Sequence, residues 1–390
     1  MIPVQFINDA ASLNTLCETL KNYQDLAIDT EFIREKTYYP NLCLIQIATD
    51  DLHACIDPLA IQDLSPLENI LQDTAITKIF HSGKQDIEIF YQRFNTIPAP
   101  VFDTQIAASL LGQGDQVGYS KLVKQLLDVD LDKSHSYTDW SQRPLTEKQI
   151  DYAINDVIYL LKVYYLQKTQ LEELNRLDWL DLDQAALLDA RQYQPSPESC
   201  WKKIKGVRKL KKTKWPTLKQ LTAWRERYAM TANRPRRHII HDDVLLNLAR
   251  LQPLTLQELE QVRGIQSGLV NKHGQALLEC IHTGRQQTLD DTDMVTPKPL
   301  NEEQEATADA LSAILKQCAI RAKISPQSIA THSDIVQMIQ GTANAKLMTG
   351  WRYQYAGQHM EKFLSGQALL TLNDQKHLTL IDKNQEAARE

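Results

Sequence analysis

The sequence has no Cys-x-x-Cys pair and no cysteine spacing of the zinc-ligand kind. Its six cysteines (Cys17, Cys43, Cys55, Cys200, Cys280 and Cys318) are scattered along 390 residues. A zinc ribbon and a disulfide-stapled secreted scaffold are thereby excluded, and free thiols in a reducing compartment are expected. No apolar run approaches the roughly 20 residues that a membrane span needs. The opening stretch, Met1–Phe6, has neither the basic region nor the apolar stretch of a secretory leader. A cytoplasmic protein with no membrane partner is expected. Coiled-coil heptads are missing too, so a monomer is expected. There is no excess of positive charge: 43 Lys and Arg against 49 Asp and Glu leave a net charge of −6. That excludes a uniformly basic surface but leaves room for a local basic stripe beside an acidic site.

What is present describes a folded chain, 43% hydrophobic and 24% charged. Its length calls for two or three domains. In the first half, β-type runs at Leu26–Phe32, Leu42–Ala48, Leu52–Ile56 and Ile76–Phe80 mix with helical patterns near Pro66–Gln72, Gly83–Phe94, Thr104–Leu111, Ser120–Leu127 and Thr146–Gln170. Closely spaced strands followed by alternation predict a mixed sheet covered by helices, an α/β core. Around Arg191–Cys200 the composition turns to that of a linker. Beyond it the strand signal nearly vanishes, and two all-α helical domains are expected. The expected boundaries are 1–195 for the α/β domain, 205–287 and 298–376 for the helical domains, and 377–390 for a loosely held tail.

Asp29 and Glu31 stand two apart in the run Ala27–Phe32. Side chains at i and i+2 leave a strand on one face, so both carboxylates point the same way. For an isolated Asp-x-Glu, a strand end emerging into solvent is the more ordinary explanation. On a later helix Tyr152 precedes Asp156 by four residues, which places both on one face. Asp86 falls at a helix start, where an acid also simply suits the helix dipole. Each feature alone has an ordinary structural explanation.

Their ordered combination resembles the DEDD exonuclease superfamily in its tyrosine subtype, over roughly residues 1–170. Ala27–Phe32, Phe102–Gln105, and Trp140–Leu145 leading into Tyr152–Asp156 are similar to segments of the ribonuclease D family within it. The two C-terminal blocks resemble the helicase-and-RNase-D C-terminal (HRDC) domain, the second through Gly350–Arg352. The resemblance implies a ribonuclease H-like core and a metal-dependent 3′→5′ exoribonuclease that releases nucleoside 5′-monophosphates. It implies RNA with a single-stranded 3′ end as partner, tRNA precursors among them. The cofactors would be two divalent metal ions, Mg²⁺ or Mn²⁺, held by Asp29, Glu31, Asp86 and Asp156. Such ions prefer oxygen ligands, and a pair of them can both activate a water and carry charge on the leaving oxygen. Tyr152 would orient the attacking water. Many proofreading members of the superfamily have Asn in the middle motif, whereas this chain reads His81–Asp86 there; Asp103 is the rival for the third carboxylate.

Residues Trp201–Trp215 are dense in cations with an aromatic at each end. Lysines neutralise phosphates and tryptophans stack on unpaired bases, so Trp201, Lys202, Lys203, Lys205, Lys211 and Lys212 are expected to touch RNA, although a solvated basic face has the same pattern. Lys133, Trp140 and Arg143, just before the Tyr152 helix, are candidates for holding a phosphate, with core packing the alternative for Trp140. Two other readings stay open at this stage: the same chemistry on DNA, and a catalytically idle RNA-binding module.

Overall fold

The computed structural model describes residues 2–132, 138–194, 196–288, 299–342 and 345–383. They divide into two compact units. One is built from residues 1–31, 42–190 and 297–390, the other from 32–41 and 191–296.

The first unit contains a six-stranded mixed sheet of β1 (Val4–Ile7), β2 (Asp25–Ile33), β3 (Asn41–Ala48), β4 (His53–Ile56), β5 (Thr77–Phe80) and β6 (Val101–Asp103), in the order β1-β4-β3-β2-β5-β6. The β3–β4 pair is antiparallel, whereas β1–β4, β2–β5 and β5–β6 are parallel. After Asn41, every residue of β3 is buried. A strand covered on both faces reads as a continuous apolar run, which is what made it visible in sequence. The sequence reading missed β1 and β6. One is a largely exposed edge strand and the other has only three residues, too few to show a period.

Helices α1 (Ala10–Leu20), α2 (Ser65–Gln72), α3 (Lys84–Phe94), α4 (Thr104–Leu110), α5 (Tyr119–Leu127), α6 (Glu147–Glu173) and α7 (Leu177–Gln184) belong to this core. A capping box starts α6: the Thr146 side chain accepts from the Gln149 N–H while the Gln149 side chain accepts from the Thr146 N–H. That fixed start sets Tyr152 and Asp156 on successive turns of a 27-residue helix.

In the second unit, short 3₁₀ turns at Cys200–Lys203, Val207–Lys209 and Lys212–Lys214 lead into α8 (Trp215–Thr231), α9 (Arg236–Ile239), α10 (Asp242–Leu251), α11 (Leu256–Glu260) and α12 (Ser267–Gln286). Trp201, Ile204, Val207 and Leu210 recur every third residue, the 3₁₀ repeat, and all four are buried in the core of this unit. A Cβ on Gly284 would lie 2.4 Å from the Thr217 Cα, so α12 meets the start of α8 at backbone distance. The excursion 32–41 belongs here too. The Asn233 Oδ1 accepts from the Tyr38 and Tyr39 N–H groups at 3.1 Å each, and the Tyr38 hydroxyl donates to Glu226.

The chain returns to the first unit with α13 (Glu302–Ala322), α14 (Pro326–Ile329), α15 (His332–Ile339), α16 (Gly350–Arg352), a π turn at Tyr353–Gly357 and α17 (Gln358–Leu364). An antiparallel hairpin follows, β7 (Ala368–Leu372) with β8 (Leu378–Asp382). The residues expected as a tail therefore supply a strand up to Asp382, because the short apolar run Leu378–Ile381 pairs locally with Leu369–Leu372. Among the described residues, no helix is long and apolar enough to cross a membrane.

Candidate active site

Three of the four expected carboxylates converge. Asp29 and Glu31 leave one face of β2, and α6 brings Asp156 to them, so that one carboxylate oxygen from each lies within 4.8 Å of the others. Asp86 stands in the first turn of α3 and is buried. It is outside that tight trio but linked to it: its Oδ1 accepts from the hydroxyl of Thr30, the residue between Asp29 and Glu31, at 2.5 Å. Tyr152 and Asp156 also line an open recess of about 520 Å³, with Leu131, Asp132, Lys148, Asp151 and Asn155.

The electrostatics are those of a site short of positive charge. Burial, then the charges of Asp86, Asp156 and Glu31, hold the Asp29 carboxyl well above the usual carboxylate range. Burial, then Asp156 and Asp86, pushes Glu31 up to about 8. Burial pushes Asp156 up to about 7. Asp86 is raised to about 6, burial outweighing the opposing hydrogen bond from Thr30. Like charges this close disfavour joint ionisation until a cation arrives. An all-oxygen, mutually repelling donor set fits hard divalent ions such as Mg²⁺ and Mn²⁺.

Asp103, the rival third carboxylate, is otherwise engaged. It is 2% exposed, caps α4 by accepting from the Gln105 and Ile106 N–H groups, and accepts from Ser82 N at 3.1 Å and Gly83 N at 2.8 Å. Four backbone donors occupy its oxygens, and the loop they hold leads straight into the Asp86 helix.

Several expected RNA contacts are corrected by burial. Trp140 is 3% exposed, its ring centroid 6.1 Å from that of Tyr152, so it packs behind the Tyr152 helix and offers no face to a base. Trp201 is fully buried. Arg143 pairs with Asp57, and its remaining donors reach the carbonyls of Cys43, Trp140 and Gln142. No direction is left for a phosphate. Lys202, Lys203, Lys205, Lys211 and Lys212 are exposed, in the gaps between the buried apolar residues of their segment. Lys133 lies outside the described residues.

Sequence reasoning overlooked Tyr119 at the start of α5. Its hydroxyl donates to the Asn155 carbonyl at 3.2 Å, and burial, followed by the charges of Asp156 and Asp29, pushes its pKa far up. A lone aromatic at a helix start carries no sequence signal; only the fold places it beside the carboxylates.

The family model described as 3′-5′ exonuclease matches residues 4–172, and that of the HRDC domain matches residues 216–281. The chain is 40% identical over 385 residues to ribonuclease D of Bartonella henselae, covering 96% of this chain and 93% of that protein. It is 39% identical over 384 residues to ribonuclease D of Zymomonas mobilis, covering 97% and 98%. Among solved structures, Escherichia coli RNase D, an exoribonuclease involved in structured RNA processing, matches with a TM-score of 0.82 and 31% identity, over 93% of this chain and 99% of that one. A likeness that runs nearly end to end, through the exonuclease region and the helical regions that follow it, makes this chain a member of the ribonuclease D family.

Proposed function

We propose that this 3′→5′ exoribonuclease trims single-stranded 3′ ends of structured RNA, tRNA precursors among them, releasing nucleoside 5′-monophosphates at a centre of two divalent ions, Mg²⁺ or Mn²⁺. The carrying observation is the meeting of Asp29, Glu31 and Asp156 oxygens within 4.8 Å. Asp86, held beside them through Thr30, is assigned as the fourth carboxylate of the centre. Divalent ions bound there supply Lewis acidity, making a water nucleophilic at neutral pH and stabilising charge on the leaving 3′ oxygen. Tyr152, one turn before Asp156, is assigned to orient the attacking water. A phenol that is protonated at neutral pH can orient the water but has no basic lone pair with which to deprotonate it.

Lys202, Lys203, Lys205, Lys211 and Lys212 would bind RNA through its phosphates, the sequence-independent part of recognition. Trp140, Arg143 and Trp201 are left out of that surface because they are buried or paired. The proposed division of labour follows 1–195 for chemistry, 205–287 with Lys202 and Lys203 just before it for RNA contact, and 298–376 for support. The six cysteines are all free, which suits a reducing cytoplasm, and a monomer is the working assembly.

The test is a time course on a 5′-labelled RNA hairpin with a single-stranded 3′ tail, run beside its DNA counterpart. Reactions contain Mg²⁺, chelator, or Asp156→Ala protein. Stepwise shortening of the RNA alone, abolished by chelator and by the substitution, is expected. Equal attack on DNA overturns the substrate assignment. RNA binding without shortening under any divalent ion overturns the chemistry.

A further inference from the structure

Within one unit, the C-terminal helical block is joined to the carboxylate site by hydrogen bonds that alternate with short stretches of covalent chain. At its far end Arg352, 8% exposed, forks onto Asp183 of α7: Nη1 donates to Oδ1, and Nη2 lies 2.7 Å from Oδ2. Trp351 stacks on Trp179 of the same helix with centroids 4.1 Å apart and planes 5° from parallel. Gly350 takes a left-handed φ of +56°, and a Cβ there would stand 2.7 Å from Leu182 Cδ1. The motif Gly350–Arg352 therefore seats α7, and Arg352 also donates to the carbonyls of Ile329 and Ser328 at 2.8 and 3.0 Å.

Next to Asp183 stands Gln184, 5% exposed, whose Oε1 accepts from the Asp103 N–H at 2.5 Å. The Asp103 carboxylate in turn holds the N–H groups of Ser82 and Gly83. Ser82 has a left-handed φ of +57°, a conformation that costs any residue but glycine, so this turn gains from outside support; at Gly83 a Cβ would stand 2.4 Å from the Phe80 Cβ, so glycine is required there. It delivers Asp86 to the Thr30 hydroxyl between Asp29 and Glu31.

We propose that Arg352, Asp183, Gln184 and Asp103 are positioning residues, through which the C-terminal helical block fixes the Ser82–Gly83 turn and so sets Asp86 for metal binding. The inference rests on the assignment of Asp86 to the metal centre. Arg352, Gln184 and Asp103 are buried and Asp183 partly so, each hydrogen bond in the series is directional, and none of the four touches the centre itself. Outer groups that orient a ligand typically govern metal affinity by about 10–100-fold. A passive brace would govern stability alone.

The experiment uses full-length Arg352→Met, Gln184→Met and the double variant, read by calorimetric titration with Mn²⁺ and by kcat and KM on the tailed RNA hairpin. Each single substitution is expected to weaken Mn²⁺ binding roughly tenfold, the low end for such groups, and to lower kcat with KM unchanged. The double variant is expected to be no worse than the worse single one, because both cut the same series. Lower melting temperature with Mn²⁺ affinity and kcat intact would reduce the series to a structural brace and overturn the proposal. Should the Met variants fail to fold, Asp103→Asn, which keeps the shape and one acceptor oxygen, is read the same way. Loss of Mn²⁺ binding in Asp156→Ala, with Arg352→Met unaffected, sinks the positioning role and leaves the metal centre standing. Wild-type protein that binds no Mn²⁺ overturns both.

Discussion

Arg143 forks onto Asp57, its Nε 2.6 Å from Oδ2 and its Nη2 2.8 Å from Oδ1. In sequence this arginine stands before the Tyr152 helix and looks like a phosphate ligand. In the fold it ties that segment to the end of β4, which closes at Ile56. Asp57 is 3% exposed, so losing its partner strands a buried charge.

Arg143→Met is therefore expected to cost about 3 kcal/mol at neutral pH, the lower end for breaking a buried pair. RNA affinity should hold. Burial pushes Asp57 up, but the hydrogen bonds from Arg143 and the Leu59 N–H outweigh it and keep the carboxyl below its ordinary range. A depressed folded pKa gives stability that is present above the unfolded value near 4 and is lost as pH falls through the folded one. The variant's deficit should be largest at pH 7 and shrink in acid. Urea unfolding at several pH values measures it, and a pH-independent deficit would contradict this account.

Asp29→Asn should trade activity for stability. Removing one of the crowded carboxylates relieves repulsion in metal-free protein, so its melting temperature in chelator should rise, by the equivalent of about 1 kcal/mol or more. Exonuclease activity and the stabilisation given by added Mn²⁺ should both disappear. Scanning calorimetry with and without chelator checks the pair of outcomes; a lower melting temperature in chelator would count against a strained, cation-seeking cluster.

The basic segment separates into two kinds of residue. Changing Lys202, Lys205, Lys211 and Lys212 to Ala should weaken RNA binding and flatten its salt dependence, by about 0.7 in log–log slope for each single-strand phosphate no longer neutralised. Stability should barely change. Trp201→Ala should do the opposite, costing roughly 3–5 kcal/mol by opening a cavity in the helical unit. Filter binding at several salt concentrations, together with thermal melts, distinguishes them. A Trp201 variant that melts normally yet loses RNA would reinstate the stacking role.

Gly284→Ala probes the meeting of α12 with α8. The added methyl would stand 2.7 Å from the Thr217 N and 2.4 Å from its Cα, and backbone cannot step aside as a flexible side chain can. A cost of about 1–3 kcal/mol is expected, confined to the helical unit. Hydrogen exchange should show faster opening of α8 and α12, with the sheet of the other unit unchanged; uniform acceleration would contradict that confinement.

By itself the sequence determined what depends on local period and spacing. The β2 and β3 strands, the helices from α2 to α6, and the pairing of Tyr152 with Asp156 were legible because strand and helix repeats put fixed offsets on one face. The Asp29–Glu31 pair was legible for the same reason. Tertiary structure alone decided what depends on meeting across the chain. It gave Asp103 to four backbone donors and Asp86 to the Thr30 hydroxyl, partners that spacing could not foretell. It buried Trp140 and Trp201, and it matched Arg143 to a partner 86 residues away in sequence. A cation or an aromatic looks the same in sequence whether it faces solvent or the core, because its apolar body and polar end suit either place. Which one it takes is set by the neighbours that folding brings to it.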